Sequence, residues 1–194
     1  MCGRYTFYTD EENREAIRIA LEIEKRYGKD SFNKGEIFPG NKVPILTDEK
    51  NKIAPKLFTW GFPNFKNKGL IINARSETAG GKRMFSSSLK QRRCVIPSTG
   101  FFEWKKAEGK KNKEKYLFNI PGSNMVYMAG IYNEFEGEEK YVILTTGANA
   151  SMKNIHHRMP VILGENSIEN WIYDDKFVDI LFNSEMTTLE KKLV

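Results

Sequence analysis

The chain has 194 residues, 40% of them hydrophobic and 29% charged, with a formal net charge of +6. A chain of this length buries roughly 70% of the surface it exposes when unfolded, so its core needs neither a metal nor a disulfide staple. A single domain over 1–194 is expected. With no apolar N-terminal segment and no apolar run of about 18 residues, the composition excludes secretion and membrane spanning as expectations. The two cysteines, Cys2 and Cys94, suit a reduced, cytoplasmic compartment better than a disulfide framework. A basic balance favours an anionic partner, nucleic acid being the commonest.

The chain opens on Met1-Cys2-Gly3-Arg4. If Met1 is removed, Cys2 carries an α-amine and a thiol on adjacent carbons. Ordinary pKa values of about 8 and about 8.5 leave both groups a usable nucleophilic fraction near neutrality. Together they can capture an aldehyde: the amine forms an imine and the thiolate closes a five-membered thiazolidine ring on it.

Thr9-Asp10-Glu11-Glu12 has the form of a capping box, and Ala16, Ile19, Ala20, Ile23 and Tyr27 share one face at helical spacing. This predicts a helix from about 10 to 27. Short strands between Pro and Gly punctuation follow. Phe38-Pro39-Gly40 reads as a turn, Val43–Leu46 as a strand with an edge proline, and Asp48–Asn51 as a hairpin tip. Lys56–Pro63 alternates until Gly61 and Pro63 break it. An extended Leu70–Glu77 would put Asn73, Arg75 and Glu77 on one face, an amide, a guanidinium and a carboxylate together.

Gly80–Phe85 reads as a basic loop, Ser86–Gln91 as a short helix, and Arg92–Pro97 as a buried strand with Cys94 as a small core residue. Phe101-Phe102-Glu103-Trp104 follows. A carboxyl flanked by aromatics loses solvation, which disfavours the anion and makes Glu103 a candidate proton carrier near neutral pH. Lys105–Lys115 holds six lysines and reads as a solvated hairpin loop. Tyr116–Ile120, Met125–Tyr132 and Tyr141–Thr146 read as strands.

Asn154-Ile155-His156-His157-Arg158-Met159-Pro160 contains both histidines. Two adjacent histidines on an extended segment cannot both face one site and no third ligand is near in sequence, so no metal is expected. One of the two is a candidate general acid or base. Ser167 is placed to cap a helix carrying Ile168 and Trp171, and a second helix after Asp174-Asp175 is expected to turn Phe177, Ile180 and Leu181 inward. The last residues carry no clear signal. No cofactor is implied.

Four stretches together resemble the SRAP (SOS response-associated peptidase) family: Met1–Arg4, Asn73–Thr78, Arg92–Pro97 running into Gly100–Trp104, and His156–Pro160. The resemblance implies an α+β, β-rich domain of twisted, mostly antiparallel, barrel-like sheets with a few short helices outside. It implies a basic groove for single-stranded DNA containing abasic sites, whose ring-opened sugar presents an aldehyde. Carried over by motif, Cys2 is the nucleophile, Asn73 orients it, Glu103 moves protons and His156 assists opening of the sugar. Arg4, Arg75 and Arg158 would contact phosphates, and Trp60 would offer a face on which a base stacks. Phe102 stands where the family often has tyrosine. A monomer that shields the lesion by a covalent cross-link is therefore expected, associated with the nucleoid when DNA-bound. It would remove its own Met1, and a strand-nicking lyase step is an open side activity. Two other readings stay open, an N-terminal-nucleophile amide hydrolase and a non-covalent single-strand binder with strong salt dependence.

Overall fold

A computed structural model describes residues 2–64, 68–106 and 112–194. The N-terminal part comprises β1 (Tyr5–Phe7), α1 (Arg14–Tyr27), β2 (Gly35–Ile37), β3 (Lys42–Asp48), β4 (Ile53–Trp60), β5 (Phe62–Pro63), β6 (Leu70–Ile71) and β7 (Asn73–Arg75). The middle runs through α2 (Ser76–Ala79), α3 (Ser86–Gln91), β8 (Arg93–Ser98), β9 (Gly100–Lys106), β10 (Lys113–Asn119), β11 (Val126–Phe135) and β12 (Glu138–Gly147). Then come β13 (Arg158–Pro160), β14 (Ile162–Leu163), a 3-10 turn (Glu165–Ser167), α4 (Ile168–Tyr173), α5 (Asp175–Asn183) and β15 (Glu190–Leu193).

The strands form an eight-stranded sheet running β13-β12-β4-β3-β8-β11-β14, with β7 attached to β12. Because β12 also pairs with β11, the strands β12, β4, β3, β8 and β11 close on themselves as a barrel. All pairings are antiparallel except those of β12 with β4 and with β7. A separate five-stranded sheet has the order β15-β10-β9-β1-β2. The expected β-rich, barrel-like α+β architecture is what the chain forms.

Local chemistry explains the barrel. Every residue of β8 is buried, as its near-continuous apolar run requires of a strand covered on both sides. The β3–β4 hairpin turns at Lys50 and Asn51, with φ of 54° and 63°, and the β11–β12 hairpin at Glu136 and Gly137, with φ of 54° and 79°. Two successive positive φ values give the turn whose twist matches that of the paired strands. Gly130 lets β11 approach its neighbours: a Cβ there would lie 2.9 Å from the Val142 carbonyl oxygen and would meet the Ile96 side chain. The two sheets share one aromatic seam, where Tyr5 of β1 packs on Trp60 of β4 with ring centroids 5.2 Å apart and Trp60 stacks on Tyr141 of β12.

Several expectations need correction. Helix α1 starts at Arg14, because residues up to Asn13 close a turn in which Asn13 N–H donates to the Asp10 carbonyl at 3.0 Å. Thr9 therefore cannot cap it. Ala16, Ile19, Ala20 and Ile23 are buried as expected, but Tyr27 in the last turn is exposed. Pro44 pairs with Leu57 inside the barrel sheet, where β3 lies between β4 and β8. Ser167 makes no side-chain cap, whereas Asp174 does, accepting from Lys176 N–H at 2.8 Å. On α5, Val178 and Leu181 face inward but Ile180 is exposed. The C-terminal residues, which carried no signal, form β15 against β10. The middle of the lysine-rich loop, 107–111, lies outside the described residues. Among the described residues, no helix is long and apolar enough to cross a membrane.

Candidate functional site

The N-terminal arm enters along β9. Tyr5 pairs with Phe101 and Thr6 with Gly100, and Phe102 N–H donates to the Arg4 carbonyl at 2.9 Å, carrying the pairing one residue further. Continued, this register puts Gly3 opposite Glu103, one residue from Cys2, and the Glu103 charge acts on the Cys2 thiol. Cys2 is fully buried and Glu103 is 3% exposed. Burial, then the charge of Glu103, raises the Cys2 thiol far above its ordinary range. The thiol keeps its proton unless a base takes it. Below it, the Tyr5 and Tyr141 hydroxyls lie 2.7 Å apart, both raised chiefly by burial.

Asn73 reaches the same point from the other sheet. Strand β7 runs parallel to β12, with Asn73 opposite Ile143 and Arg75 opposite Thr145. The Asn73 side-chain N–H donates to the Cys2 carbonyl at 3.0 Å. Its Oδ1 is buried with no hydrogen-bond partner among the described residues. An orphaned acceptor in native packing calls for a physical reason, and this one sits beside the atoms that removal of Met1 would change.

Strand β13 lies on the other side of β12, with Arg158 opposite Gly147. The Arg158 guanidinium forms a two-pronged pair with Glu77 at 2.5 and 2.8 Å and also donates to the Thr145 carbonyl at 2.6 Å. Glu77 was expected on the strand face with Asn73 and Arg75. The chain instead turns into α2 at Ser76, so Glu77 sits in the first helical turn, where a negative charge is favoured by the exposed N–H groups. The Arg158 hydrogen bonds hold its carboxyl below the usual range. Arg158, 8% exposed, is thereby a buried tie between strands, which removes it as a free phosphate contact. Arg75 is exposed and makes no ion pair among the described residues.

His156 and His157 stack with ring centroids 4.5 Å apart. His156 Nδ1 lies 3.0 Å from the Arg158 backbone N–H and 3.1 Å from the Arg158 carbonyl oxygen, so the Arg158 backbone fixes the ring. His157 is exposed, and the charge of His156 together with partial loss of solvation lowers its pKa. His156 is thus fixed by the backbone and His157 is exposed. Among the described residues no cluster of His, Cys, Asp or Glu is arranged to hold a metal.

Trp60 has no open face. It is fully buried, and its indole N–H donates to the Ile72 carbonyl at 3.0 Å. A residue locked in the seam between sheets cannot be the surface on which a base stacks. Other aromatics line the mouth of the site. The Arg4 guanidinium lies over the Phe38 ring at 4.2 Å and over the Trp104 ring at 5.1 Å. Lys115 sits 3.8 Å from the Phe102 ring centroid. Glu36 accepts from both cations, from Arg4 at 3.1 Å and from Lys115 at 2.9 Å. Burial works against its charge, but these two donors hold its carboxyl below the usual range. Phe38 is 42% exposed and Trp104 half-buried. The sequence signal for Phe38 was only a turn, because nothing local says that β2 brings it beside Arg4.

The chain resembles known proteins over nearly its full length. Abasic site processing protein YoqW of Bacillus subtilis (strain 168) is 33% identical over 190 residues, covering 89% of this chain and 80% of that protein. Abasic site processing protein YedK of Escherichia coli (strain K12) is 30% identical over 179 residues, covering 89% and 79%. A solved structure of a Bacteroides thetaiotaomicron protein superposes with a TM-score of 0.76 at 24% identity, covering 100% of this chain and 92% of that one, and so supports the fold alone. The family described as SOS response associated peptidase (SRAP) matches residues 1–191. With the N-terminal Cys2 motif, the Asn73 strand, the Glu103 strand and the His156 segment gathered along adjoining strands, this chain belongs to the SRAP family.

Proposed function

We propose that the chain processes abasic sites in single-stranded DNA by forming a covalent cross-link through Cys2 once Met1 has been removed. The observation that carries this reading is the Asn73 amide: it holds the Cys2 carbonyl at 3.0 Å while its own oxygen is left without a donor. The amine freed by loss of Met1 supplies donors for that oxygen.

The steps balance without a cofactor. The Cys2 amine adds to the aldehyde of the ring-opened sugar and loses one water to give an imine. The thiol proton passes to Glu103, the sulfur adds to the imine carbon, and the ring nitrogen regains a proton as the thiazolidine closes. Because burial and the Glu103 charge keep the thiol protonated, a base at Glu103 is what makes the sulfur nucleophilic. His156, held at Nδ1 by the Arg158 backbone, is the candidate acid that helps open the sugar. Arg75 and Arg4 would meet phosphates, and Phe38 and Trp104 would take the stacking role first given to Trp60.

Mass spectrometry of the intact protein, alone and mixed with single-stranded DNA carrying one abasic site, tests this reading. The expected result is loss of Met1 and gain of one DNA mass less one water, abolished in Cys2→Ala. DNA binding that is only reversible in the wild type overturns it. The family description favours one secondary reading, that this same nucleophile cleaves the Met1 peptide bond. Retention of Met1 in Glu103→Gln or Asn73→Ala, with removal in the wild type, would be its signature in the same spectra.

A further inference from the structure

Of the two adjacent histidines, only His156 has a part in the chemistry at Cys2. His157 is exposed, yet its ring packs on His156, with centroids 4.5 Å apart and planes 24° from parallel. The backbone holds both partners in place. His156 N–H donates to the Met152 carbonyl at 3.1 Å, and the His157 carbonyl accepts from Ala148 N–H at 3.0 Å. The His156 ring is pinned further at Nδ1 by the Arg158 backbone. Two imidazoles are thus kept face to face by fixed backbone, and they are the two histidines of the whole chain.

Rings this close are coupled through their charge, since a proton on one opposes a proton on the other. The charge of His156, ahead of partial loss of solvation, lowers the His157 pKa. The other groups that act on His157 are the N-terminal amine, Arg158 of β13 and Arg75 of β7, all of the same sign. The Glu77 carboxylate of α2 is committed to Arg158.

We propose that His157 is a positioning residue for the reaction at Cys2: its ring fixes the plane of the His156 ring, and the two imidazoles take up their protons as one unit, one at a time. This rests on the reading of His156 as the acid that opens the sugar. Opening is proton-neutral. The C1 hydroxyl gives up its proton as its oxygen becomes the aldehyde, the bond from C1 to the ring oxygen breaks, and that oxygen gains a proton. A pair holding a single proton can both give and take, whereas two protonated rings could only give. His157 acts through His156 and touches no reacting atom.

An NMR titration of the intact protein follows the two histidine ring signals, assigned by His156→Ala and His157→Ala. In the wild type each signal should move in two steps. In His157→Phe, which keeps a ring and removes the charge, His156 should titrate in one step and at higher pH. In His157→Lys, which keeps a cation, it should titrate at lower pH than in His157→Phe. The pH profile of cross-linking to abasic single-stranded DNA should shift in the same directions. His157→Ala, which also removes the ring, should slow cross-linking several-fold across the profile. Unchanged thermal unfolding of the three variants would show that these effects are local. The inference is overturned if His156 has the same midpoint in the wild type and in His157→Phe. It is overturned equally if the profile ignores all three substitutions while His156→Ala slows cross-linking. Cross-linking at the wild-type rate in His156→Ala would instead overturn the role of His156 itself, and with it that of the pair.

Discussion

The Asn73 side chain donates to the Cys2 carbonyl at 3.0 Å, tying the N-terminal arm to a strand of the other sheet 71 residues away. Asn73→Ala removes this tie without emptying a large volume. It should slow adduct formation by about tenfold or more, because a nucleophile free to wander loses the benefit of orientation. A gel time course with abasic single-stranded DNA reads the rate, and wild-type speed in this variant would remove Asn73 from the mechanism.

Glu103 and the buried Cys2 thiol make a pH argument. The thiol is raised by burial and by the neighbouring carboxylate, so its anion is scarce at neutral pH. Glu103→Gln should slow ring closure by about 10²–10⁴-fold at pH 7. Hydroxide replaces the missing base as pH rises, so the deficit should shrink toward high pH. A deficit that stays constant across the pH range would mean that Glu103 serves packing alone.

The Glu77–Arg158 pair predicts stability with a definite sign. The Glu77 carboxyl is held below its ordinary value by Arg158. Its contribution is therefore full above the unfolded pKa of about 4.3 and is lost as pH falls through the lower, folded value. Since Glu77 is about half exposed, at 49%, while Arg158 is 10% exposed, water offsets part of the effect. Glu77→Gln should cost about 1–2 kcal/mol at neutral pH. Urea unfolding at pH 7 and near pH 3 should show the gap between wild type and variant closing in acid.

Trp60 and Trp104 should separate stability from binding. Trp60→Ala empties the seam between the sheets, where the ring is fully buried, and should cost about 3–5 kcal/mol of stability. Trp104→Ala should leave unfolding nearly unchanged and weaken single-stranded DNA binding by about 1–3 kcal/mol. Fluorescence anisotropy with labelled DNA, beside thermal melts, distinguishes the two.

Arg75, exposed beside the site, is the guanidinium best placed for a phosphate. Arg75→Ala should lower the slope of log affinity against log salt by about 0.7, the value for one phosphate contact on a single strand. An unchanged slope in an anisotropy titration at several salt concentrations would show that no phosphate is met there.

Much of this was legible locally. The strands from Val43 to Thr146 announce themselves by β-branched and aromatic runs, and the hairpin at Asp48–Asn51 by its turn residues. Cys2 could be singled out because no other residue joins an amine and a thiol once it stands at the N-terminus. The start of α1 and the cap of α4 were not legible, since competing turns at Asp10–Asn13 and Glu165–Ser167 take up the backbone groups first. Strand β15 was missed because its sequence, Glu-Lys-Lys-Leu, becomes extended only through its pairing with β10.

The sequence by itself determined the type of most elements and singled out Cys2, Asn73, Glu103 and His156 as candidates, because propensity, turn geometry and reactivity belong to the residues themselves. The tertiary structure decided which charged and aromatic groups remain available. Arg158 and Arg75 look alike in sequence, but the first is closed in by Glu77 and Thr145 across β12 while the second stays open. Trp60 and Trp104 likewise differ only in where the chain puts them, one between two sheets and the other beside Arg4 at the rim. Burial and ion pairing depend on neighbours tens of residues distant, and no local pattern specifies which strand will lie alongside.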